Sequence, residues 1–416
     1  MKYRPRVSDR ELRDRLTRAG AVVIEGPKGC GKTWSARQVA ASELRVDVDP
    51  QVTPAMEADP AILLRGPVPR LLDEWQLQPR LWDFARRAID DRSEPGQFVL
   101  TGSAQPNDDV RRHSGAGRMS RMRMHTMSLF ETGASTGEAS LARLLTGEPP
   151  EPATSTLSVS DIAALVCAGG WPATLEADRH QAALYARDYV DLLVDVDVSR
   201  VDGKRRDPVR LRRLLRSLAR NTACEVSVET LTKDVAGPDV TAARGTIIDY
   251  LDTLARLMVT EDQPAWSAAL RSKATLRRRP KRHFVDPSLA AAAVAATPDT
   301  LLQDLNFLGT LFESLAVRDL RIYAQALKAD ICHVRDSNGK ELDAVIVLPD
   351  GGWAGVEIKL GAGAADQAAA SLLAFAATVD PAVEGKPRAL IAITGNGYAM
   401  RRADGVDVVP LGLLGP

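Results

Sequence analysis

Apolar positions along roughly the first 130 residues fall in short runs separated by helix-length segments, an alternation that predicts βαβ units around a parallel sheet. Four runs read as strands, at 21–25, 44–48, 70–73 and 97–101, and two segments read as helices, at 33–41 and 80–91. From 132 to 158 the periodicity fails. Gly, Pro, Ser and Thr crowd that stretch, which includes Glu148-Pro149-Pro150-Glu151-Pro152 and predicts a linker around one short helix. Helical spacing returns from 159 to 223, where Leu211, Leu214, Leu215 and Leu218 recur at i, i+3, i+4 and i+7 as one apolar stripe.

Residues 225–286 carry the pattern of a winged helix. A short helix at 228–235, a Gly237-Pro238 turn and Thr241 as N-cap lead into a second helix with Ile247, Ile248, Leu251 and Leu254 on its buried face. Strands at 257–260 and 284–286, with a basic loop between them, would form the wing. The last part opens with a helix near 305–323 and continues with strands at 331–335, 342–348, 355–360 and 389–394. The expected fold class is α/β: a parallel-sheet domain (1–135), a linker and helical region (136–223), a winged-helix domain (224–300) and a C-terminal α/β domain (301–416).

Composition narrows little. The chain has 416 residues, 45% hydrophobic and 26% charged, with 54 Lys+Arg against 54 Asp+Glu, so any polyanion site must come from local clustering. The first fourteen residues are charged and lack the apolar core of a signal peptide. The longest apolar run, 289–296, is far short of the roughly 20 residues that cross a bilayer. Four scattered cysteines suit a reducing compartment, so a cytoplasmic protein with no membrane partner is expected.

The sharpest chemical signal is Gly26-Pro27-Lys28-Gly29-Cys30-Gly31-Lys32-Thr33, a full Walker A pattern between an apolar strand and a helix start. Its glycines let backbone N–H groups face a β-phosphate, and the helix N-terminus adds positive potential. Lys32 would reach the β- and γ-phosphates, and Thr33 would ligate Mg²⁺, so ATP and Mg²⁺ are the expected cofactors. Leu71-Leu72-Asp73-Glu74 reads as Walker B, with Asp73 holding Mg²⁺ through water and Glu74 polarising the attacking water. An exposed loop acid is the alternative for Glu74. Pro69 and Arg70 sit awkwardly at the head of that strand. Thr101 or Ser103 would act as a γ-phosphate sensor or merely cap a strand end. Arg118 is a candidate arginine finger toward a neighbouring subunit, a cis sensor, or a surface arginine.

Asp73-Glu74-Trp75-Gln76, Thr101-Gly102-Ser103, the segment 113–118, Met127-Ser128-Leu129-Phe130-Glu131 and Gly169-Gly170-Trp171-Pro172 together resemble the bacterial and archaeal AAA-type ATPases that carry a C-terminal DUF4143 region. The resemblance covers almost the whole chain. It implies an AAA-like core, a winged-helix segment and a restriction-endonuclease-like C-terminal domain, and makes a homo-oligomer plausible.

Two basic clusters point to DNA. Arg271, Lys273, Arg277, Arg278, Arg279, Lys281 and Arg282 fall where a wing would lie, and Lys204, Arg205, Arg206, Arg210, Arg212, Arg213, Arg216 and Arg220 face only one acid, Asp207. Such clusters track a phosphate backbone by releasing counterions. A solvated face or a protein-docking surface is the alternative.

Near the C-terminus, Asp343 followed by Glu357-Ile358-Lys359 fits the Asp…Glu-x-Lys core of restriction-endonuclease-like nucleases. A three-residue loop at Pro349-Asp350-Gly351 pairs Leu348 with Gly352, which sets Asp343 opposite Glu357 and puts Lys359 on the same face. Asp343 and Glu357 would bind Mg²⁺, Lys359 would activate water, and Glu313 on the preceding helix would complete the site. The functional expectation is an ATP-hydrolysing, DNA-binding protein that couples nucleotide state to a nuclease-like domain. The alternatives are a regulatory ATPase switch with an inactive nuclease fold, or a branched-DNA remodelling ATPase without cleavage.

Overall fold

Five short strands pair side by side in one direction, the inner ones as apolar runs. They are β1 (Ala21–Glu25), β2 (Ser42–Arg45), β3 (Arg70–Asp73), β4 (Phe98–Gly102) and β5 (Met119–Arg123), in the order β2-β3-β4-β1-β5 with every pairing parallel. Val22, Val23, Ile24, Leu71, Leu72, Val99 and Leu100 are all buried, because helices cover both faces of the sheet. Strands buried on both faces have no reason to alternate, which is why they appear as continuous apolar runs. One face packs against Trp75, Leu81, Trp82 and Ile89; the other packs against Leu12 and Leu16 of the helix Ser8–Leu16.

The computed structural model describes residues 2–102, 115–200, 203–204, 206–237, 242–266, 279–335 and 340–416. This first sheet belongs to a unit made of Met1–Thr126, Val196–Arg205 and Thr253–Met258; a second unit holds Met127–Asp195, Arg206–Asp252 and Val259–Pro416. No helix among the described residues is long and apolar enough to cross a membrane.

The head of β3 resolves the Pro69-Arg70 difficulty. The strand begins at Arg70, whose N–H reaches Gln97 O at 2.9 Å, so Pro69 is asked only for its carbonyl, which accepts from Ala41 N at 2.8 Å. The Arg70 guanidinium donates to Leu63 O and Ser42 Oγ, and burial lowers its pKa.

In the second unit the strands are β6 (Ala139–Ser140), β7 (Ala153–Ser155), β8 (Thr260–Gln263), β9 (Lys281–Phe284), β10 (Asp330–Arg335), β11 (Glu341–Val347), β12 (Trp353–Lys359), β13 (Leu390–Thr394), β14 (Gly397–Arg401), β15 (Asp407–Pro410) and β16 (Leu414–Gly415). Seven of them form a mixed sheet in the order β10-β11-β12-β13-β15-β14-β7. The helix Ala365–Ala376 crosses from β12 to its parallel neighbour β13 and buries Ala368, Ala369, Leu372 and Phe375. There Trp353 packs against Trp266 and Phe375 at ring-centroid distances of 5.2 and 6.3 Å.

The helix Leu305–Ala326, capped by Asp304 on Phe307 N, is buried almost all round from Leu308 to Ala324. That burial takes in Arg318, whose guanidinium donates to Asp286 at 3.0 Å and to Asp319 at 2.7 and 2.9 Å, all three side chains at most 2% exposed. The same carboxylates accept from backbone: Asp319 from Leu129 N and Asp286 from Gly170 N, each at 3.0 Å. Two of the family-like motifs therefore meet on one buried arginine. They also touch directly, with Met127 N donating to Gly170 O at 2.7 Å and a Cβ on Gly170 falling 2.0 Å from Met127 O.

Several expectations need correcting. The supposed linker 132–158 contributes β7, an edge strand paired antiparallel with β14; its pairing partner is too distant in sequence for local composition to reveal it. The helix Arg244–Arg256 buries Ile247, Tyr250 and Leu254, whereas Ile248 is 44% exposed, one position off the stripe. In the hairpin β8–β9 the first strand starts three residues later than the expected 257–260, and the second starts three residues earlier than the expected 284–286. Lys281, counted among the outward wing bases, points inward. It shares a face with buried His283 by the period of two, and only Arg282 between them faces out, paired with Asp262. In the other cluster Arg212 pairs with Asp191 and Asp195, Arg206 with Asp249 and Arg210 with Asp207, which removes much of its free charge. Ser103, His113, Arg111, Arg112, Arg205, Pro238, Thr241, Arg271, Lys273, Arg277 and Arg278 lie outside the described residues.

Removing one partner of a buried ion pair strands the other charge, at a cost of about 3–5 kcal/mol. Arg318→Met is expected to destabilise the second unit by that amount, read as a lower urea midpoint in tryptophan fluorescence. An unchanged midpoint would show that the arginine is dispensable.

Candidate functional site

The turn 26–33 leaves β1 and enters the helix Lys32–Arg37. Gly31, the N-cap, has φ of 102°, a left-handed conformation that suits glycine. At Gly26 a Cβ would lie 2.2 Å from Met124 O, so the close pass of the chain beside the end of β5 admits no side chain. Lys32 is 6% exposed, and its Nζ donates to Gly26 O and Pro27 O, each at 2.9 Å. Lys28 is ion-paired with Asp197. Cys30 is fully buried, with its Sγ toward Met124 O, which fits a small packed residue.

Opposite the turn, register does the positioning. Thr101 on β4 pairs with Ile24 of β1 on one side and Asp73 of β3 on the other, which brings the carboxyl ends of all three strands level. Asp73 Oδ1 accepts from Thr33 Oγ1 at 2.8 Å and from Thr101 Oγ1 at 2.5 Å. Two hydroxyls and a carboxylate make an all-oxygen donor set, the kind that suits Mg²⁺. Ligands in open parallel sheets bind beyond the carboxyl ends of the strands, which is where these groups gather.

Glu74 follows with φ of 54°, a left-handed conformation costing a non-glycine residue roughly 1–3 kcal/mol, and its carboxylate accepts from the Gln76 amide. Arg118 is exposed and pairs with Asp90 at 2.6 Å.

One residue at this turn escaped the sequence reading. Arg6 is 7% exposed and donates to Cys30 O at 2.8 Å, His125 O at 2.9 Å and Thr126 O at 3.2 Å, tying the turn to the chain leaving β5. These three partners are main-chain carbonyls, which leave no side-chain pattern to find.

In the second unit the hairpin register is the one that the three-residue loop requires. Ala344 pairs with Val356 and Val347 with Trp353, so Asp343 and Glu357 stand opposite one step further on, and Gly351 takes φ of 82° in the loop. The structure brings Asp343, Glu357, Lys359 and Glu313 together and adds Lys281. Lys359 Nζ lies 2.9 Å from Glu357 Oε1 and 3.4 Å from Asp343 Oδ2; Lys281 Nζ lies 2.6 Å from Glu313 Oε1 and 3.4 Å from Asp343 Oδ1. Ile358 N also donates to Asp343 Oδ2. Behind the cluster, buried His283 bridges Ser314 and Gln263, and Gln263 donates to Asp343 O at 3.0 Å.

Burial, then the charge of Asp343, push the Glu357 carboxyl up to about 7 against the pull of Lys359. The same two causes push Glu313 up to about 8 against Lys281. For Lys281 and Lys359 burial acts downward, but the neighbouring carboxylates outweigh it and both pKa values rise. Glu357 Oε2 is buried with no hydrogen-bond partner, an orphaned acceptor of the kind a cation would satisfy. Yet among the described residues no three His, Cys, Asp or Glu side chains are spaced to hold a metal ion. Two ammonium groups stand among the carboxylates instead.

Comparison with known proteins places three families along the chain: an AAA domain at residues 18–133, a domain of unknown function, DUF8612, at 159–300, and a second such domain, DUF4143, at 308–414. The uncharacterized proteins Rv2008c of Mycobacterium tuberculosis and Mb2031c of Mycobacterium bovis are each 26% identical over 353 residues, covering 84% of this chain and 72% of theirs. Among solved structures, the Walker-type ATPase PABY2304 of Pyrococcus abyssi aligns with a TM-score of 0.42 at 11% identity, over 70% of this chain and 99% of that one. AMPPCP-bound DnaA from Aquifex aeolicus gives 0.26 at 12% identity, over 59% and 86%. Both structural likenesses are too loose to bear on the chemistry here. The AAA match lies over the glycine-bearing turn and the five parallel strands, and the DUF4143 match lies over the carboxylate hairpin and its sheet. The chain belongs to the AAA-type P-loop ATPases that carry a C-terminal DUF4143 region.

Proposed function

We propose that the first unit binds Mg²⁺·ATP on the turn 26–33 and hydrolyses it with Asp73 and Glu74. The observation that carries this reading is the convergence of Thr33 and Thr101 on one oxygen of Asp73 beside the Lys32 turn. In this reading Lys32 exchanges its two carbonyl partners for β- and γ-phosphate oxygens. Thr33 and Asp73 hold Mg²⁺, which when bound supplies positive charge against the phosphates. Thr101 keeps Asp73 oriented, and Glu74 accepts the proton of the attacking water as the γ-phosphate leaves ADP.

General bases are worth about 10²–10⁴-fold. Glu74→Gln is therefore expected to lose turnover by about 100-fold or more while retaining nucleotide affinity, and Lys32→Ala to lose both, measured by phosphate release and fluorescent-nucleotide titration. Turnover near wild type in Glu74→Gln would remove Glu74 from the chemistry.

We further infer that the second unit is a nuclease-like module that meets DNA and is coupled to nucleotide state. Exposed Arg216 and Arg220, which have no ion pair among the described residues, support backbone contact, as does the Asp343, Glu357 and Lys359 cluster on one face of a hairpin. The second reading, a regulatory switch with an inactive nuclease fold, is favoured by Lys281 lodged between Glu313 and Asp343. A cleavage gel with Mg²⁺ or Mn²⁺ separates them. Cutting that is lost in both Asp343→Ala and Lys359→Ala is expected of a nuclease, and no cutting of any DNA form leaves the switch.

The two glutamates also set a pH dependence. A carboxyl whose folded pKa is raised keeps a proton that the unfolded chain has released, so stability is lost as pH rises from the unfolded value through the folded one. Both lysines stay charged throughout that window. Taken as the difference between wild type and Glu313→Gln/Glu357→Gln, stability of the second unit is expected to fall between about pH 4.5 and pH 8; buried His283, whose pKa is lowered, acts the other way in both proteins. A difference that rises or stays flat across that window would contradict the assignment.

A further inference from the structure

Lys281 is used neither by the phosphate turn nor by an outward basic wing. It opens β9 with a side chain 10% exposed, and both of its carboxylate partners come from other elements: Glu313 from the helix Leu305–Ala326 and Asp343 from β11. An ammonium taken out of water is costly unless carboxylates surround it. This one has two, and they are two of the acids that a cation in this cluster would have to share.

A separate observation points to a ligand. The Glu357 side chain is 6% exposed; one oxygen binds Lys359, and the other is buried with no hydrogen-bond partner. A buried acceptor left unsatisfied is expensive and is completed by a group from outside. Charge counting gives the direction of exchange. Three carboxylates against two ammonium groups leave one negative charge. Adding a divalent cation would turn that into an excess positive charge in a poorly hydrated place, whereas exchanging Lys281 for it leaves none.

Resting on the reading of this cluster as a cation site, we propose that Lys281 is a built-in gate: its ammonium holds the place between Glu313 and Asp343 that a divalent cation needs, and the cation binds only when Lys281 withdraws. The spacing of the acids agrees, since they cannot share a metal as they stand. Withdrawal is also local. Lys281 pairs with Gln263 at the last rung of the β8–β9 ladder, so its movement frays one end of the hairpin and spares the middle.

The test is Mn²⁺ binding to the nucleotide-free full chain near pH 8.5, read from the free-ion paramagnetic resonance signal, with each variant compared to the same protein carrying Asp343→Asn. Wild type is expected to show no Asp343-dependent site at concentrations where Lys281→Met gains one, with affinity raised by about ten-fold or more. Lys281→Met strands Glu313 and can fail to fold. Lys281→Met/Glu313→Gln neutralises that acid and is expected to bind more tightly than wild type through the two remaining carboxylates. Equal, Asp343-dependent binding in wild type and Lys281→Met, or a double variant no tighter than wild type when the single one fails to fold, overturns the gate and leaves the cation site standing. Absence of Asp343-dependent Mn²⁺ in every folded variant overturns both.

Discussion

A charge withdrawn from water must be met by opposite charge or by oriented dipoles, and this constraint organises both units. In the first, Lys32 and Arg6 are buried at the turn 26–33: Lys32 donates to two main-chain carbonyls of the turn itself, and Arg6 to one of the turn and two of the chain leaving β5. In the second, Arg318 is satisfied by Asp286 and Asp319, which in turn accept from Gly170 and Leu129 and so fix two separate segments around one helix. Apolar packing supplies most of the stability of such units, but it is non-directional and more indifferent to exact partners. Buried charges are not indifferent, because a slip of one residue leaves one of them stranded.

How far the fold could be read beforehand follows from the range of the forces involved. The strand Ala21–Glu25, the turn after it and the strand Arg70–Asp73 were legible because their signals are local: an apolar run, glycines at fixed offsets, an acid at a strand end. The hairpin register was legible for the same reason, since three loop residues dictate which pairs stand opposite. What could not be read depends on distant partners. Nothing within 132–158 announces that Ala153–Ser155 will join the edge of a sheet built from the chain's last third. Arg6 had no readable sign because backbone carbonyls are its partners.

Lys281 shows where reading by composition goes wrong. Counted in a run of bases, it belonged with its neighbours to an outward patch. Strand geometry sorts the same run by parity, so Lys281 and His283 turn inward while Arg282 stays out. Had the strand been placed at 281 and not 284, the period of two would have raised the question of what buries a lysine. The acids that answer it, Glu313 and Asp343, had already been singled out for a metal. The pattern held enough to suggest a conflict between the two assignments, but only the coordinates put all three side chains in one place.

The two buried lysines also differ in how readily they can be released. Lys32 is held by two neutral carbonyls, and in the proposed function phosphate oxygens would replace these ion–dipole contacts with ion pairs, so the exchange would run toward the ligand. Lys281 is held by two carboxylates, one of them at 2.6 Å, and giving them up is unfavourable unless an incoming cation takes both at once. On the proposed reading, a nucleotide site built on the first arrangement is ready as it stands. A cation site built on the second stays closed until some other event supplies the difference, and this difference in resting partners lets one chain keep a permissive site and a guarded one.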